Sequence, residues 1–599
     1  MIHRLAPALL LLSFGCNTAT DPGKGGAGGG DTARGDTGSG ADAGDAGDAG
    51  DAGDDADGTS GPVGTELSCS SAVSQIDSVW DAPGTAQFVA MGVWDDGTTE
   101  DVTASASWSL GTGSGGSISA DGLYTAPARN AGPMEITVTW EGLTATCSID
   151  TWLDAVVNLT GDPAVEAAAL ATVPTLDIDC APYVMYPFDQ TRIPADFFSP
   201  EVQWIPESGQ DRFVITFETD WIRVIAITAD DSWTPSGDEW WAVADPGSGR
   251  DIAMTVLGGA WDAAAEDFSG GLCGSPWTTA LTTEWWGSAG AVYYWTPTTS
   301  GLWQIDIGAE EATPWVDSST AGTCVGCHAS NAANPGVFTT TRGSGGYGGN
   351  VVADVDDPLV TLAGGGRTSG FSTLDPTGTR LVRSYRGVLY LDDLTNNVQL
   401  SEVPTEGYAT HPNWSPDGKW LAYSSCAGAG SSNDWQAYDC DLRLLEVQTG
   451  DTWGSDLSLA IAPPGHSYYY PEFSPDSQWV AFTRNTSGDD AYDDPTAEIM
   501  IISQAGGRPV VLAGANSLPN VTNSWPRWGP IVGDIGWLAF SSRRPYALQT
   551  DGTHQVWVTG VDLSEVAAGR DGSAPPVWLP GQSTATSNHT PAFVSRQYD

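Results

Sequence analysis

Lysine is almost absent from this chain of 599 residues. Lys24 and Lys419 are the only two, and 75 acidic residues stand against 22 basic ones, which gives a formal net charge of −53 at pH 7. A surface so rich in carboxylates repels the phosphates of DNA and RNA and the headgroups of anionic lipids. Nucleic-acid binding is therefore excluded, and the acidity indicates solubility more than any particular function.

Long hydrophobic runs are also lacking. The N-terminal stretch MIHRLAPALLLLSFGC carries the positive Arg4, the apolar run 5–12 and then Cys16. The run is too short to span a bilayer, and no other stretch is apolar enough for a transmembrane helix. Any membrane attachment is therefore expected through a lipid anchor only.

Residues 1–16 resemble a bacterial lipoprotein signal peptide in which Cys16 is the lipidated residue. The segment departs from the usual pattern, because Ser13 stands where leucine is commonest. The resemblance implies an exported protein that is lipid-anchored at the periplasmic face of a membrane or at the cell surface. An ordinary signal peptide that is cleaved elsewhere is the alternative.

Residues 17–65 have no aromatic side chain and almost no branched one. The segment consists mainly of Gly, Ala, Asp, Ser and Thr, so it cannot bury a hydrophobic core. Repulsion between its aspartates extends the chain further. It is predicted to be a disordered tether that holds the folded part away from the membrane.

The nine cysteines fall into local groups. Cys16 is assigned to the lipid, and two further cysteines form a short motif near the middle of the chain. Spacing alone does not fix how the other six connect, but an exported, oxidising compartment favours local pairs. The expected disulfides are Cys69 with Cys147, Cys180 with Cys273, and Cys426 with Cys440.

Residues 66–152 show short alternating strands with turn signals between them. In order, the segment contains Asp96-Gly97-Thr98, Asp101-Val102-Thr103 and Trp108. This pattern resembles the group 2 bacterial immunoglobulin-like domain over the whole segment. The resemblance implies a β-sandwich that serves as a spacer or adhesive module and not as a catalyst.

A second β-rich, sandwich-like module is predicted for residues 155–287. It begins with one clear helix signal, in which Asp162 is the N-cap and Pro163 occupies the first helical position. The residues that follow return to short strand patterns.

Two tryptophan pairs lie in this module, Trp240-Trp241 and Trp285-Trp286. We place both pairs on strands. Because neighbouring residues on a strand face opposite sides, one ring of each pair cannot enter the same core as its partner. The second ring is expected to pack on a neighbouring domain, and a carbohydrate or peptide platform is the alternative.

The C-terminal half is an internal repeat. Four segments share a strand, a tight turn and a second strand: FSTLDPTGTRLVRSY from Phe371, HPNWSPDGKWLAYSS from His411, YPEFSPDSQWVAFTR from Tyr470 and WPRWGPIVGDIGWLAFSS from Trp525. A third strand follows each of them. Pro416 and Pro475 preset the backbone φ that the turns require. A spacing of roughly 40–60 residues is typical of propeller blades.

Two further blades complete the predicted ring. CHASNAANPGVFTTT and GNVVADVDD form the first of them, and HTPAFVSRQYD at the end of the sequence supplies only an inner strand for the other. Residues 291–308 are expected to provide the missing outer strands, because closure with strands from both ends removes exposed sheet edges. Residues 288–599 are therefore predicted to form a six-bladed β-propeller, and the whole chain is predicted to be mainly β.

The turns Ser415-Pro416-Asp417-Gly418 and Ser474-Pro475-Asp476 resemble the Pro-Asp repeats of TolB-like propellers, and Trp528-Gly529-Pro530 is a weaker match. The resemblance implies binding of an envelope or extracellular protein more often than catalysis. A glycan is the other candidate partner, and it rests on the tryptophan pairs. No Gly-x-Ser-x-Gly nucleophile elbow occurs in the sequence. The chain is therefore predicted to be a non-enzymatic, macromolecule-binding scaffold.

One motif points to a cofactor. In GTCVGCHAS, Cys324, Cys327 and His328 have the spacing that attaches a c-type haem in exported bacterial proteins. The two thiols would form thioethers, and His328 would be the proximal iron ligand. A Cys324–Cys327 disulfide is the alternative, whereas zinc is disfavoured because no second pair of ligands lies at the right spacing. A haem mounted on the propeller would make this an electron-transfer protein.

The sixth ligand of such an iron is left open. His411 is the first candidate, since it begins an inner strand two blades further on, and His466 and His589 are others. Each could instead be an ordinary loop or capping histidine, or the position could be open.

Calcium is a further candidate ligand. The clusters Asp354-Asp356-Asp357 and Asp489-Asp490-Asp493-Asp494 offer the oxygen ligands that calcium takes. Neither cluster has the spacing of a recognised calcium loop, and solvated acidic loops are the alternative.

Overall fold

The computed structural model describes residues 62–245, 251–343, 347–359, 361–363, 366–430, 434–486, 492–549 and 552–595. These residues are mainly β-strand, which confirms the predicted fold class. No helix within these ranges is both long and apolar enough to cross a membrane. The predicted signal peptide, with Cys16, and almost all of the predicted tether lie outside the described residues.

The first folded unit is a sandwich of two sheets. Its strands are β1 (Gly64–Ser71), β2 (Gln75–Val79), β3 (Thr85–Trp94), β4 (Thr99–Asp101), β5 (Ser107–Leu110), β6 (Ser117–Ile118), β7 (Leu123–Thr125), β8 (Gly132–Trp140) and β9 (Leu143–Asn158). β1, β3, β4, β6 and β7 form one sheet, and β2, β5, β8 and β9 lie in the other. Phe88, Ile136 and Val138 are buried between the sheets, because successive side chains of a strand point to opposite faces.

Within the described residues, the second unit adds ten strands and two α-helices. They are α1 (Pro163–Ala171), β10 (Thr175–Leu176), β11 (Tyr183–Tyr186), β12 (Thr191–Pro194), β13 (Val202–Ile205), β14 (Arg212–Glu218), β15 (Ile222–Thr228), β16 (Ser232–Trp233), α2 (Gly237–Ala244), β17 (Asp251–Asp262), β18 (Asp267–Gly274) and β19 (Thr279–Glu284). β9 pairs antiparallel with β8 along its first part and parallel with β15 along its last part. One sheet therefore runs through both units, and the predicted boundary at 152–155 falls inside β9.

The first helix of this unit follows the sequence prediction and the second does not. α1 begins after Asp162, whose carboxylate accepts a hydrogen bond from the Ala164 amide at 2.9 Å. Trp240 and Trp241, which we placed on a strand, lie instead in α2, where Ser236 and Glu239 form a reciprocal capping box. Because consecutive helical residues point about 100° apart, Trp240 is buried and Trp241 is exposed.

The remaining strands form the blades of a propeller. Blade 1 contains β20 (Gly290–Thr296), β21 (Gly301–Asp306), β22 (Thr313–Val316) and β44 (His589–Ser595). The short helix α3 (Ser318–Ala321) follows. Blade 2 contains β23 (Val325–Asn331), β24 (Asn334–Arg342), β25 (Gly348–Asp354), β26 (Thr361–Ala363) and β27 (Thr368–Ser369). Blade 3 contains β28 (Ser372–Leu374), β29 (Arg380–Tyr385), β30 (Val388–Asp393) and β31 (Val398–Glu402); blade 4 contains β32 (Tyr408–Trp414), β33 (Trp420–Ala429), β34 (Ala437–Gln448) and β35 (Thr452–Ala460). Blade 5 contains β36 (Ser467–Phe473), β37 (Trp479–Asn485), β38 (Glu498–Ser503) and β39 (Val510–Val511); blade 6 contains β40 (Ser524–Val532), β41 (Ile535–Ser542), β42 (Gln555–Asp562) and β43 (Val577–Trp578), with α4 (Leu563–Ala567) between its last two strands.

These six sheets of the described chain close into a ring. The innermost strands β23, β28, β32, β36 and β40 contact one another in turn, and β44 contacts both β40 and β23. Within blade 1, Val292 lies opposite Phe593 and Tyr293 lies opposite Ala592. The predicted closure between the C-terminal strand and residues 291–308 is therefore confirmed, and with it the six-bladed propeller.

Four inner strands carry the same bulge. His411, Tyr470, Trp525 and Thr590 have φ values of 49°, 53°, 59° and 47°, and a proline follows each of them. Since proline has no N–H to donate, the strand ladder is interrupted there and the strand bends. The register of blades 4, 5 and 6 shifts at this position.

The three predicted disulfides are present among the described residues. They are Cys69–Cys147, Cys180–Cys273 and Cys426–Cys440. Each bond closes within its own unit of the fold. Disulfides persist in oxidising compartments, so their presence agrees with an exported protein.

The second unit packs tightly on the propeller. Trp286, which follows β19, is wholly buried and lies 5.1 Å from Phe593 of blade 1 between ring centroids. The hydroxyl of Tyr186 accepts a hydrogen bond from the Trp578 amide of blade 6 at 3.1 Å. One ring of the Trp285-Trp286 pair therefore packs on a neighbouring domain as expected, although the pair follows β19 and does not lie on a strand as we placed it. For the other pair the expectation is wrong, because Trp241 is exposed and its ring lies 5.4 Å from Trp285 of the same unit.

Candidate functional site

The Cys-x-x-Cys-His motif lies at the start of blade 2. α3 ends at Gly322, whose φ of 69° gives a left-handed C-cap. Cys324 follows, and β23 then carries Cys327 and His328. Because β23 is the innermost strand of its blade, His328 lies near the propeller axis, as the repeat alignment predicted. Cys327 is a free thiol, so the alternative Cys324–Cys327 disulfide is not formed in this structure.

A small cavity lies at the centre of the propeller. Its volume is about 20 Å³, and the side chains around it come from blades 2 to 6. The lining residues are Cys327, His328, Phe371, Ser372, His411, Pro412, Tyr470, Pro471, Trp525 and Arg527. A cavity of this size holds about one water molecule. The aromatic rings at the bulges therefore fill the axis almost completely.

Two buried histidines, His328 and His411, face this cavity from different blades. They are 6 % and 3 % exposed, and no ring nitrogen of either has a hydrogen-bond partner among the described residues. Burial lowers the pKa of His328 to about 3, with a further contribution from the charge of Arg527. The same causes hold the pKa of His411 well below its ordinary value. Both imidazoles are therefore neutral at physiological pH, which is the form that binds metals.

Aromatic rings fix the two imidazoles in place. The His411 ring contacts the rings of Phe371 and Tyr470, with centroids 4.3 Å and 4.4 Å away. The His328 ring stacks on Phe338 of the neighbouring strand at 5.4 Å. These contacts hold each imidazole in place beside the cavity.

An ion pair lies next to the histidines. Arg527 contacts the carboxylate of Glu472, and its guanidinium stands 5.4 Å from the Trp525 ring centroid. Burial raises the pKa of Glu472 to about 7, and the attraction of Arg527 offsets this only in part. Glu472 also lines a second cavity of about 160 Å³ at the end of the channel where the Pro-Asp turns lie. The channel therefore holds a carboxyl group that titrates near neutral pH.

The central site supplies only part of the chemistry that a c-type haem needs, and it lacks the room. Cys324 is disulfide-bonded in this structure, so only one of the two motif thiols is free for a thioether. His328 offers a neutral imidazole without a hydrogen-bond partner in the described structure, and Cys327 offers a free thiol. Burial raises the pKa of that thiol to about 11. The cavity of about 20 Å³ has room for about one water, and a haem is many times larger. In this arrangement the residues do not fit a haem, and its attachment stays a prediction.

The other predicted iron ligands lie away from the cavity. His589 is bound at Nε2 by Ser587, 2.7 Å away, and at Nδ1 by the hydroxyl of Tyr492. Its ring centroid also lies 4.2 Å from that of His554. His466 lies in a partly exposed loop beside the Pro464 carbonyl. Of the predicted candidates, only His411 shares the cavity with His328.

The residues of the site that sequence analysis missed include Glu472, Tyr470, Trp525 and Arg527. A signal for them exists in the repeats HPN, YPE and WPR, which stand at the same place in three blades. The first residue of each triplet lines the central cavity, and the third is Asn413, Glu472 or Arg527. These residues would have been identified if the residue before and the residue after each recurring proline had been assigned to the channel.

The acidic clusters form no metal site within the described ranges. No group of three or more His, Cys, Asp or Glu side chains there could hold a metal ion. Asp494 accepts hydrogen bonds from Asn485 and Thr496, and Asp493 pairs with Arg543 at 3.2 Å. Asp489 and Asp490 lie outside the described residues. Calcium binding therefore stays a prediction.

No family model and no curated protein sequence matches the chain. Several solved structures are similar at low identity. TolB from Acinetobacter baumannii is 14% identical, with 58% of this chain and 79% of that chain covered and a TM-score of 0.37. The nidogen/laminin complex is 11% identical, covering 51% of this chain and 99% of that one, with a TM-score of 0.31. Hydrazine synthase from Kuenenia stuttgartiensis is 13% identical, covering 39% and 62%, with a TM-score of 0.25.

Proposed function

We propose that this chain is an exported, lipid-anchored scaffold protein that binds another protein of the cell envelope through its propeller and has no catalytic role. The β-propeller itself follows from the ring of sheets. The lipid anchor rests on the resemblance of residues 1–16 to a lipoprotein signal. The binding role rests on how the propeller axis is filled.

The filled axis is the observation that carries the proposal. Pockets that take a small-molecule ligand measure about 300–1,000 Å³. The two cavities on the axis measure about 20 Å³ and about 160 Å³, which is too small for such a ligand. The axis therefore offers no room for such a ligand, which supports binding of a partner through the outer surfaces of the propeller and the junctions between units.

The packing between units supports this role. Buried residues of the second unit and of blades 1, 5 and 6 belong to one hydrophobic cluster. The first unit shares a sheet with the second through β9. A rigid assembly of this kind presents surfaces from several units in a fixed relation, so a partner can contact more than one of them without ordering costs.

Crosslinking in the native envelope tests the proposal. The full chain is expected to capture one protein in a stoichiometric amount after purification. The control carries residues 1–65 on an unrelated folded domain, so that capture by the lipid and tether alone is subtracted. Failure to recover any partner, together with turnover of a substrate by the purified chain, would overturn the proposal.

Electron transfer through a c-type haem is the second candidate function. The neutral imidazole of His328, which has no hydrogen-bond partner in the described structure, favours it, and the small cavity opposes it. The chain is produced with a cytochrome c maturation system, denatured, and examined for haem that stays with the polypeptide. Haem retained on Cys324 and Cys327 would support this function, and its complete loss would remove it.

A further inference from the structure

A wide groove lies between the second unit and the propeller. It has a volume of about 770 Å³, within the range of about 300–1,000 Å³ that ligand pockets occupy. The loop after β12 and the segment before α2 form one wall, and outer parts of blades 1 and 6 form the other. Ligand sites occur preferentially at such domain junctions.

The groove is preformed because hydrogen bonds fix its walls. Ser199 donates from its hydroxyl to the Pro235 carbonyl at 2.6 Å, which ties the two segments of the second unit together. Across the junction, the Leu548 amide donates to the side chain of Gln203 at 2.9 Å. The Tyr546 hydroxyl donates to Glu201 at 3.4 Å. A ligand therefore meets walls that need little reorganisation, which lowers the cost of binding.

The polar lining of the groove is acidic. Glu201, Glu310 and Glu311 line it, and none of its lining residues is Lys, Arg or His. Both hydrogen bonds that reach the Glu201 carboxylate within the described structure end on Oε2, which leaves Oε1 to accept from a ligand. Glu310 and Glu311 are exposed and form no ion pair within the described ranges. The charge of the groove therefore complements a cation.

The aromatic lining favours a basic side chain over a sugar. Tyr546 and Trp578 stack on each other, with centroids 4.1 Å apart and planes 11° apart, and both are buried. Their faces are therefore not free to serve as a sugar platform. Trp303 is partly exposed in the groove, and the face of an indole attracts an ammonium or guanidinium group.

We propose that this groove binds a short segment of a partner protein that presents a lysine or arginine side chain to Glu201, Glu310 and Glu311. The inference rests on the proposed scaffold function and adds to it a site and the chemistry of the partner. Glu201 receives the cation at its free carboxylate oxygen, and Trp303 covers the aliphatic part of the side chain.

Peptides of matched sequence test this site on the full chain. Four N-acetylated hexapeptides differ only at one central residue, which is arginine, lysine, citrulline or glutamate. Calorimetry is expected to show that the arginine and lysine peptides bind at least about ten-fold more tightly than the citrulline peptide, because a hydrogen bond to a charged group is stronger than a neutral one. Equal binding of the arginine and citrulline peptides, no binding of any peptide, or binding of neutral cello-oligosaccharides instead would overturn the proposal.

Single substitutions locate the binding. Glu201→Gln is expected to weaken binding of the arginine peptide about ten-fold. Glu310→Gln or Glu311→Gln is expected to weaken it about two- to five-fold, since exposed charge pairs contribute less. The matched control is Glu207→Gln, which removes the same charge from an exposed position of the second unit outside the groove. Circular dichroism confirms that each variant is folded. If Glu201→Gln and Glu207→Gln weaken binding of the arginine peptide equally, the overall negative charge of the protein attracts the peptide, and the proposed site is contradicted.

The proposed function and the groove can fail separately. If crosslinking recovers a partner with equal yield from the Glu201→Gln variant and the parent, the scaffold function stands and the groove is wrong. If the peptides bind as expected, crosslinking recovers no partner and the purified chain turns over a substrate, the groove stands as a cation site and the scaffold function is wrong.

Discussion

Trp286 of the second unit stacks on Trp537 of blade 6, with ring centroids 5.8 Å apart and planes 29° apart. The indole N–H of Trp537 donates to the Trp285 carbonyl at 3.0 Å. Gly529 lies against the Trp286 ring, and a Cβ at position 529 would come within 2.5 Å of that ring. The core of the second unit therefore continues into the propeller, and the two should unfold together.

Replacing the central ring of that contact tests this coupling. Trp286→Ala is expected to lower the free energy of unfolding by about 3–5 kcal/mol, because a large buried ring is removed and a cavity remains. Guanidinium unfolding followed by near-ultraviolet circular dichroism measures the change. The matched control is Trp277→Ala, since Trp277 is 69 % exposed. A propeller transition that stays at the parent midpoint in Trp286→Ala would show that the units are independent.

Closure of the ring by β44 predicts a strong effect of truncation. Removing residues 590–599 takes away most of the inner strand of blade 1, so that β20 keeps only β21 as a partner and its other edge is exposed. We expect the whole propeller to melt at a lower temperature. A truncation of residues 596–599 alone leaves β44 complete and should melt like the parent. Equal melting of the longer truncation and the parent would refute closure by this strand.

The propeller could be predicted from the sequence because its signals are local and repeated. In blade 4 the Ser415 hydroxyl donates to Asp417 at 2.7 Å and accepts from the Trp420 amide at 2.9 Å. In blade 5 the Trp479 amide donates to Ser474 in the same way at 2.9 Å. Each Ser-Pro-Asp turn is therefore stabilised by residues within six positions of one another, which a single sequence displays.

The parts that could not be predicted depend on distant contacts. The repeat alignment already placed His328 and His411 on inner strands near one axis, where both line the same cavity. The sequence does not show how far aromatic rings fill that axis, so it could not show that a haem lacks room. The helix around Trp240 is a different case. Its capping box Ser236–Glu239 was present in the sequence, but the tryptophan pair was interpreted as a strand.

The free thiol of Cys327 should be slow to react in the folded protein. Burial raises its pKa to about 11, and the thiolate is the reactive form. In protein made without a haem-attachment system, iodoacetamide at pH 8 is expected to label Cys327 at least about ten-fold more slowly in the native state than in guanidinium. Peptide mass spectrometry follows the label. Labelling at the same rate in both states would contradict the buried position of the thiol.

Glu472 should make the stability of the propeller depend on pH. Burial raises its pKa from 4.5 to about 7 in the folded protein, so between these values the folded state holds a proton that the unfolded state has lost. The stabilisation from this proton is therefore fully present below pH 4.5 and is lost as the pH rises to about 7.

Glu472→Gln removes the titrating group and keeps the size of the side chain. The free energy of unfolding is measured by guanidinium titration at steps between pH 4.5 and pH 8 for the parent and the variant. We expect the parent to lose stability relative to the variant as the pH rises from 4.5 to about 7, with little further change above that range. The variant also loses the ion pair with Arg527, which changes its free energy of unfolding relative to the parent at the higher pH values. That change is constant once the parent carboxylate is fully ionised. A difference between parent and variant that is independent of pH would show that Glu472 does not titrate near neutrality.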